Sequence, residues 1–318
     1  MFWESGISHC FRNVCRYENF CFSTAKSLKL KELSYHKRPL PPNLISLSSS
    51  DGKKLFREAL GAGGMESFFP LAEQFVTQSE PSYCSLSTLA MVLNALNYDP
   101  KKVWKGAWRW VSEEMLHCET QAICGHSLEK VQKYGLNFSE FESLARCHGV
   151  NISSTRVCHS RLETCGKEGL REFIQLVDQI SSTDQAKSFL VVNFSRKYLG
   201  QTGDGHFSPI GGYHRRLGLA LVMDVARFKY PPYWVKIEDL WDSMAVVDQA
   251  TGLTRGYFVV STWEVQPRQD AGNICPPLIR TWESLPKVTS QSACCHTDSV
   301  QLPASTPSLE KSRQMSTV

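Results

Sequence analysis

Cys84 follows Pro81-Ser82-Tyr83 and opens the segment SLSTLAMVLNAL; far downstream come His206 in GDGHFSPIGGY and Asp224 in ALVMDVARFKYPP. A thiol is a poor nucleophile until it ionises, and a neighbouring imidazole lets it do so near neutral pH. A carboxylate that orients the imidazole completes the set, so Cys, His and Asp in this chain order point to acyl transfer through a covalent intermediate. Gln78, six residues before Cys84, adds a side-chain amide. With the backbone N–H of Cys84 it can hold the negative oxygen of a tetrahedral intermediate. Each residue alone has a plainer reading: cysteine is usually a small buried hydrophobe, histidine is often structural, and an aspartate at a strand end often binds backbone N–H groups. The ordered set with a suitably placed Gln is what favours chemistry.

These residues need elements to hold them. Leu86, Leu89, Ala90, Leu93 and Leu96 fall at the three-and-four spacing of one buried helix face, which puts Cys84 at or near a helix N-terminus. Unpaired N–H groups and the positive end of the helix dipole favour a thiolate there. FLVVNF at 189–194 and Leu219–Val225 read as short buried strands, and the glycines around His206 predict a tight hairpin or a close backbone approach. Asp224 interrupts an apolar run, where a carboxylate is costly unless paired and hydrogen-bonded. Antiparallel pairing of the strands would bring it to His206. Up to about residue 180 the folded part reads as mainly helical, including GKKLFREAL, the aromatic segment around Trp104–Trp110, FSEFESLARCHG and EGLREFIQLVDQI. From Phe189 to Ser261 the signals turn to strands. The expected class is α+β, with a helical lobe carrying the nucleophile, an antiparallel sheet lobe carrying His and Asp, and a cleft between them.

RPLPP at 38–42, LAEQFVTQSEPSYCSLSTLAMVLNALNYDP, VWKGAWRW, QTGDGHFSPIGGYH, DVARFKYPPYWV and VDQATGLTRGYF resemble the phytochelatin synthase family, the glutathione γ-glutamylcysteinyltransferases. The resemblance runs from about His36 to Ser261. It implies a papain-like two-lobed fold, with Cys84, His206 and Asp224 as catalytic triad and Gln78 as oxyanion residue. Two features depart from the family pattern: Ser85 stands where Gly is common, and the segment over 118–126 is longer. The short signature of papain proteases around their cysteine is absent, which disfavours an endopeptidase. By the same resemblance Cys84 attacks the Cys-Gly bond of glutathione and His206 protonates the departing glycine. A γ-glutamylcysteinyl thioester then passes to the amine of a second glutathione or a growing phytochelatin. Two further readings stand beside this: a hydrolase that sends the same thioester to water, and a non-catalytic cysteine-rich metal buffer.

A γ-linked glutamate keeps its α-amino and α-carboxylate groups free, so its pocket needs one acid and one base, with Arg suited to the carboxylate. Asp248 and Arg255 match family positions for that role, and Arg227 and Tyr230 match a second-substrate region; the plainer readings are a solvated hairpin and an ordered loop. No organic cofactor is implied. The family does imply a heavy-metal activator, cadmium, zinc or copper, carried as a metal–glutathione thiolate. Cys118, Cys124 and Cys147 are weak protein ligand candidates, none with the spacing of a closed zinc site.

The chain has 318 residues, twelve cysteines and a net charge of +4. Residues 1–40 hold seven Lys/Arg against three Glu, so the remainder is near neutral and nucleic acid is not an expected partner. No apolar run approaches membrane-spanning length. The expected organisation is an N-terminal extension over 1–35, a catalytic domain over 36–262 and a Ser/Thr/Pro-rich tail over 263–318, mostly disordered. A cytoplasmic location is expected, with a mitochondrial address for the extension left open by Arg12 and Arg16. Free or metal-associated thiols are expected rather than a disulfide framework. A homodimer is compatible with the reading.

Overall fold

The computed structural model describes residues 35–116, 127–184 and 187–262, which fall in one compact unit. The chain opens with β1 (Ile45–Ser46), α1 (Ser50–Gly61), α2 (Phe68–Glu73) and α3 (Cys84–Ala95), then a hairpin of β2 (Val103–Lys105) and β3 (Trp108–Arg109). There follow α4 (Leu128–Tyr134), α5 (Phe138–Cys147), β4 (Asn151–Arg156) and α6 (Thr164–Ser182). The rest is β5 (Ser188–Ser195), β6 (Gly205–His214), β7 (Leu219–Val222), β8 (Tyr233–Lys236), α7 (Ile237–Ala245), β9 (Val247–Asp248), β10 (Leu253–Thr254) and β11 (Gly256–Ser261).

Local chemistry sets several boundaries. The Ser49 side chain accepts the Gly52 N–H at the start of α1. Asn137 and Glu140 form a reciprocal capping box on α5. Gly135, at φ 69°, ends α4 in a conformation that favours glycine.

Seven strands make one wholly antiparallel sheet in the order β1-β8-β7-β6-β5-β11-β4. Both faces are covered. Along β5 the side chains alternate: Phe189 and Val191 join the core beneath α3 and α5, while Leu190, Val192 and Phe194 join the core beneath α6 and α7. This explains why FLVVNF is apolar except at Asn193 and shows no polar alternation.

The mixed α+β character agrees with the sequence, but the helix and strand halves are less cleanly divided than expected. β4 lies in the helical half and pairs with β11, and α7 interrupts the strand-rich half. The aromatic segment expected to be helical is the β2–β3 hairpin instead, with Trp108 75% exposed. Gly106, at φ 58°, makes its turn, which a helix would not tolerate. The helix opened by Cys84 shows more than one buried face: every residue from Ser85 to Ala95 is buried. Most of its polar residues are bonded inside, Asn94 by both backbone groups of Val111 and Ser87 by Tyr83 O and the Glu113 carboxylate, whereas Ser85 Oγ has no partner.

Candidate active site

Cys84 is the first residue of α3 and faces a cleft of about 540 Å³ whose walls also hold Gln78, Arg196, His206, Asp248 and Arg255. Thr88, one turn into the helix, donates to Phe207 O at 3.1 Å. This bond ties the nucleophile's helix to β6 beside His206. Asn193 on β5 donates to His206 O at 3.2 Å, fixing the same backbone from the other side.

Asp224 lies two residues past β7. A register shift in the β6–β7 ladder between Ile210 and Gly212 precedes it, and the chain turns so that His206 Nε2 sits 3.0 Å from Asp224 Oδ1. The pairing expected from the sequence is thus realised at the end of the strand rather than within it. Ala226 N donates to the same oxygen at 2.8 Å. With Nε2 engaged, Nδ1 is the ring nitrogen left for a thiol.

Arg196 is the residue the sequence reading missed. It is 3% exposed, and its Nη2 lies 2.8 Å from both His206 Nε2 and Asp224 Oδ1. Nη1 donates to Gln201 Oε1 at 2.7 Å, and the guanidinium stands 5.3 Å from the centroid of the Tyr230 ring. The available signal was an Arg directly after a largely apolar strand and shortly before the glycine-rich stretch that carries His206.

These neighbours set the electrostatics. Burial pushes the Cys84 thiol up, opposed by a hydrogen bond from the Phe207 backbone and by the Arg196 charge. The preformed thiolate expected at a helix start is therefore disfavoured in the free protein, because burial outweighs the Phe207 hydrogen bond and the Arg196 charge. Burial and then Arg196 lower His206 to about 4, against the pull of Asp224. Burial alone would raise Asp224, but Arg196 and His206 outweigh it and hold the carboxyl well below its usual range. The resting pair at neutral pH is thiol and neutral imidazole.

Gln78 lines the cleft with its main chain anchored to Val225 O at 3.0 Å. Its Nε2 donates at 2.8 Å to both Glu80 O and Pro81 O, so an oxyanion must displace one of these carbonyls to gain that donor. Asp248 and Arg255 meet across the β9–β10 hairpin: Arg255 Nη2 is 3.8 Å from Asp248 Oδ1 and 3.3 Å from Asp204 Oδ2. Arg255 is 2% exposed, and Nη1 donates to Val246 O at 2.8 Å.

The second-substrate candidates are placed differently. Tyr230 is buried, with its hydroxyl accepting from Thr202 N at 2.8 Å, and Arg227 stacks on Phe75, 4.7 Å from the ring centroid. Ala226, Phe228 and Lys229 are the residues of that segment on the cleft wall. Among the described residues, no group of three or more His, Cys, Asp or Glu is placed to hold a metal ion. Cys118 and Cys124 lie outside the described residues, as do the N-terminal extension and the tail. Cys147 is disulfide-bonded, which removes it as a thiolate ligand and departs from the expectation of free thiols.

A family model described as phytochelatin synthase matches residues 35–257. This chain belongs to the phytochelatin synthase family. Glutathione gamma-glutamylcysteinyltransferase 3 of Lotus japonicus is 45% identical over 233 residues, which cover 73% of this chain and 45% of that protein. Glutathione gamma-glutamylcysteinyltransferase 1 of Arabidopsis thaliana is 42% identical over 235 residues, covering 74% and 45%. The Schizosaccharomyces pombe glutathione gamma-glutamylcysteinyltransferase is 40% identical over 261 residues, covering 82% and 59%. The chain spans about half the length of the curated relatives it matches. The matched span, residues 35–257, contains every cleft residue described above.

Proposed function

We propose that this chain takes a γ-glutamylcysteinyl group from glutathione onto Cys84, releases glycine, and passes the acyl group to the amine of a second glutathione or a growing phytochelatin. The observation that carries the reading is that Cys84, a His206 bonded to the buried Asp224, and an Asp248–Arg255 pair share one cleft. The family names of the relatives supply the substrate.

In the first half-reaction the Cys84 proton passes to His206 Nδ1 as Sγ attacks the Cys-Gly carbonyl carbon. The oxyanion is held by the backbone N–H of Cys84 and, after it leaves one of its carbonyl partners, by Gln78 Nε2. His206 returns the proton to the glycine nitrogen as the C–N bond breaks. In the second half-reaction the neutral imidazole takes a proton from the incoming amine, and Sγ leaves as the new amide forms. Arg255 receives the α-carboxylate of the γ-glutamyl group and Asp248 its α-ammonium. The heavy metal enters as substrate, bound to glutathione thiolates. The first residue of a buried helix facing a sheet that bears His and Asp supports a papain-like two-lobed arrangement.

Incubating the protein with glutathione, with and without cadmium or zinc, and weighing the products tests the reading. Glycine and peptides longer by γ-Glu-Cys units are expected. Only γ-Glu-Cys and glycine under every condition would replace the transferase with a hydrolase. Metal capacity without glycine release, unaffected by Cys84→Ser, would leave only a metal buffer.

A further inference from the structure

Arg255 carries more acid around it than one carboxylate partner requires. Its Nη2 sits between Asp204 Oδ2 at 3.3 Å and Asp248 Oδ1 at 3.8 Å, so a single buried guanidinium faces two carboxylates on the cleft wall. Asp204 is not a loosely waving surface group. Ser195 Oγ donates to its Oδ1 at 2.8 Å, and its backbone O accepts from Arg196 N at 2.8 Å. One carboxylate oxygen is thereby held by Ser195, and the other faces Arg255. Arg255 Nε, though buried, has no hydrogen-bond partner. It and Nη2 form the guanidinium edge beside Gly205, where an added Cβ would stand 3.6 Å from both nitrogens.

Two acids and one base with an unfilled donor match a zwitterion better than they match a plain carboxylate. A ligand carboxylate on the Nε–Nη2 edge satisfies the orphan donor in the bidentate geometry that guanidinium favours. An ammonium one carbon away then needs acceptors, and Asp204 Oδ2 and Asp248 Oδ1 flank the same nitrogen. We infer that Asp204 is a specificity residue for the donor substrate, sharing with Asp248 the α-ammonium of the γ-glutamyl group whose α-carboxylate takes Arg255. The inference rests on the donor reading above. It assigns to the dipeptide GD at 203–204 a role that its place in a glycine-rich loop does not suggest.

The test compares glutathione with its des-amino analogue, glutaryl-Cys-Gly, in two ways. Equilibrium binding is measured on the full chain carrying Cys84→Ser, with and without Asp204→Asn. Glycine release is measured on chains with Cys84 intact. Asp204→Asn keeps an acceptor for Ser195 and removes only the charge. It is expected to weaken glutathione binding about tenfold, the scale of one charge-assisted hydrogen bond, and to leave the analogue's binding unchanged. In turnover KM for glutathione rises while kcat stays within about twofold, and Asp204→Glu restores part of the preference. Equal weakening of both ligands, or no change in either, overturns the assignment. If the intact chain releases no glycine but the binding preference behaves as stated, the acyl-transfer reading falls and the role of Asp204 stands.

Discussion

Arg196 Nη2 and His206 Nε2 lie 2.8 Å apart, and Asp224 Oδ1 lies 3.0 Å from the same ring nitrogen. A guanidinium can only donate, and a carboxylate can only accept. Nε2 therefore cannot satisfy both partners at once. If it accepts from Arg196, the ring proton is on Nδ1 and His206 cannot take a proton from Cys84. If it donates to Asp224, Nδ1 is free to act as base. Arg196 thus competes with Asp224 for the tautomer while also lowering the thiol's pKa from a distance, two effects of opposite sign on the same reaction.

Replacing Arg196 with Met separates them. Without the guanidinium His206 titrates nearer its ordinary value of 6.5, so the acidic limb of the kcat/KM profile moves to higher pH. Cys84 loses one of the influences lowering it, which makes thiolate formation harder. Activity is expected to fall on the order of 10²-fold, the scale of general-base effects. Asp224 left buried beside a neutral histidine costs about 3 kcal/mol of stability. A pH–rate profile and a denaturant titration check this. An unmoved acidic limb would show that Arg196 does not govern His206.

The thiol itself gives a second expectation. Because burial holds Cys84 above the usual thiol range, alkylation by iodoacetamide in the free protein should be slow at neutral pH and rise steadily through pH 9. A preformed thiolate–imidazolium pair gives a plateau from low pH instead. Cys84→Ser identifies the modified site, since Cys165 is an exposed thiol as well.

The contrast between Cys84 and Arg196 shows what could be read from the chain. Cys84, His206 and Asp224 carry their chemistry in their residue types, and the apolar runs around them mark the helix and strands that hold them. Arg196 carries no such mark. An arginine after a strand reads as solvated until Gln201, Tyr230 and Asp224 close around it, and these meet only when β5, β6 and β7 adopt their register. The same non-local closure hid the burial of α3 on all sides: Ser85, Ser87 and Thr88 look like a polar face until Glu113 and Phe207 O accept from two of them. The exposed β2–β3 hairpin was misread for the opposite reason, because three tryptophans in seven residues suggest a core that never forms there.

Tyr230 offers a third test, of support against substrate contact. Its hydroxyl anchors Thr202 N at 2.8 Å and its ring backs Arg196. Tyr230→Phe keeps the ring and leaves the Thr202 N–H without its partner, so a stability loss of about 1–2 kcal/mol is expected with KM for the acceptor unchanged. Lys229→Ala, on the cleft wall, should do the reverse: near-native stability and a raised acceptor KM. Thermal melts and acceptor saturation curves separate the two, and a raised acceptor KM in Tyr230→Phe would return that residue to the second-substrate site.

The buried His206 also makes stability depend on pH in a defined window. In the unfolded chain the imidazole takes a proton below about 6.5, whereas in the folded protein it resists protonation until about 4. Between these values the unfolded state binds more protons, so stability falls as pH falls from 6.5 to 4, by about 3 kcal/mol from this group. Asp224 extends the loss to lower pH: its folded carboxyl is held below the ordinary 3.8, and its stabilisation is present above that value and lost beneath it. His206→Gln removes the upper part of the slope and only reduces the lower, because Arg196 still holds the Asp224 carboxyl down. Denaturant unfolding at pH 7, 5.5 and 4 on both proteins reads the difference directly, and because the other histidines are common to both, only the divergence between the two curves counts. Parallel curves would mean that His206 is accessible to protons in the folded state and that the cleft is wetter than its burial implies.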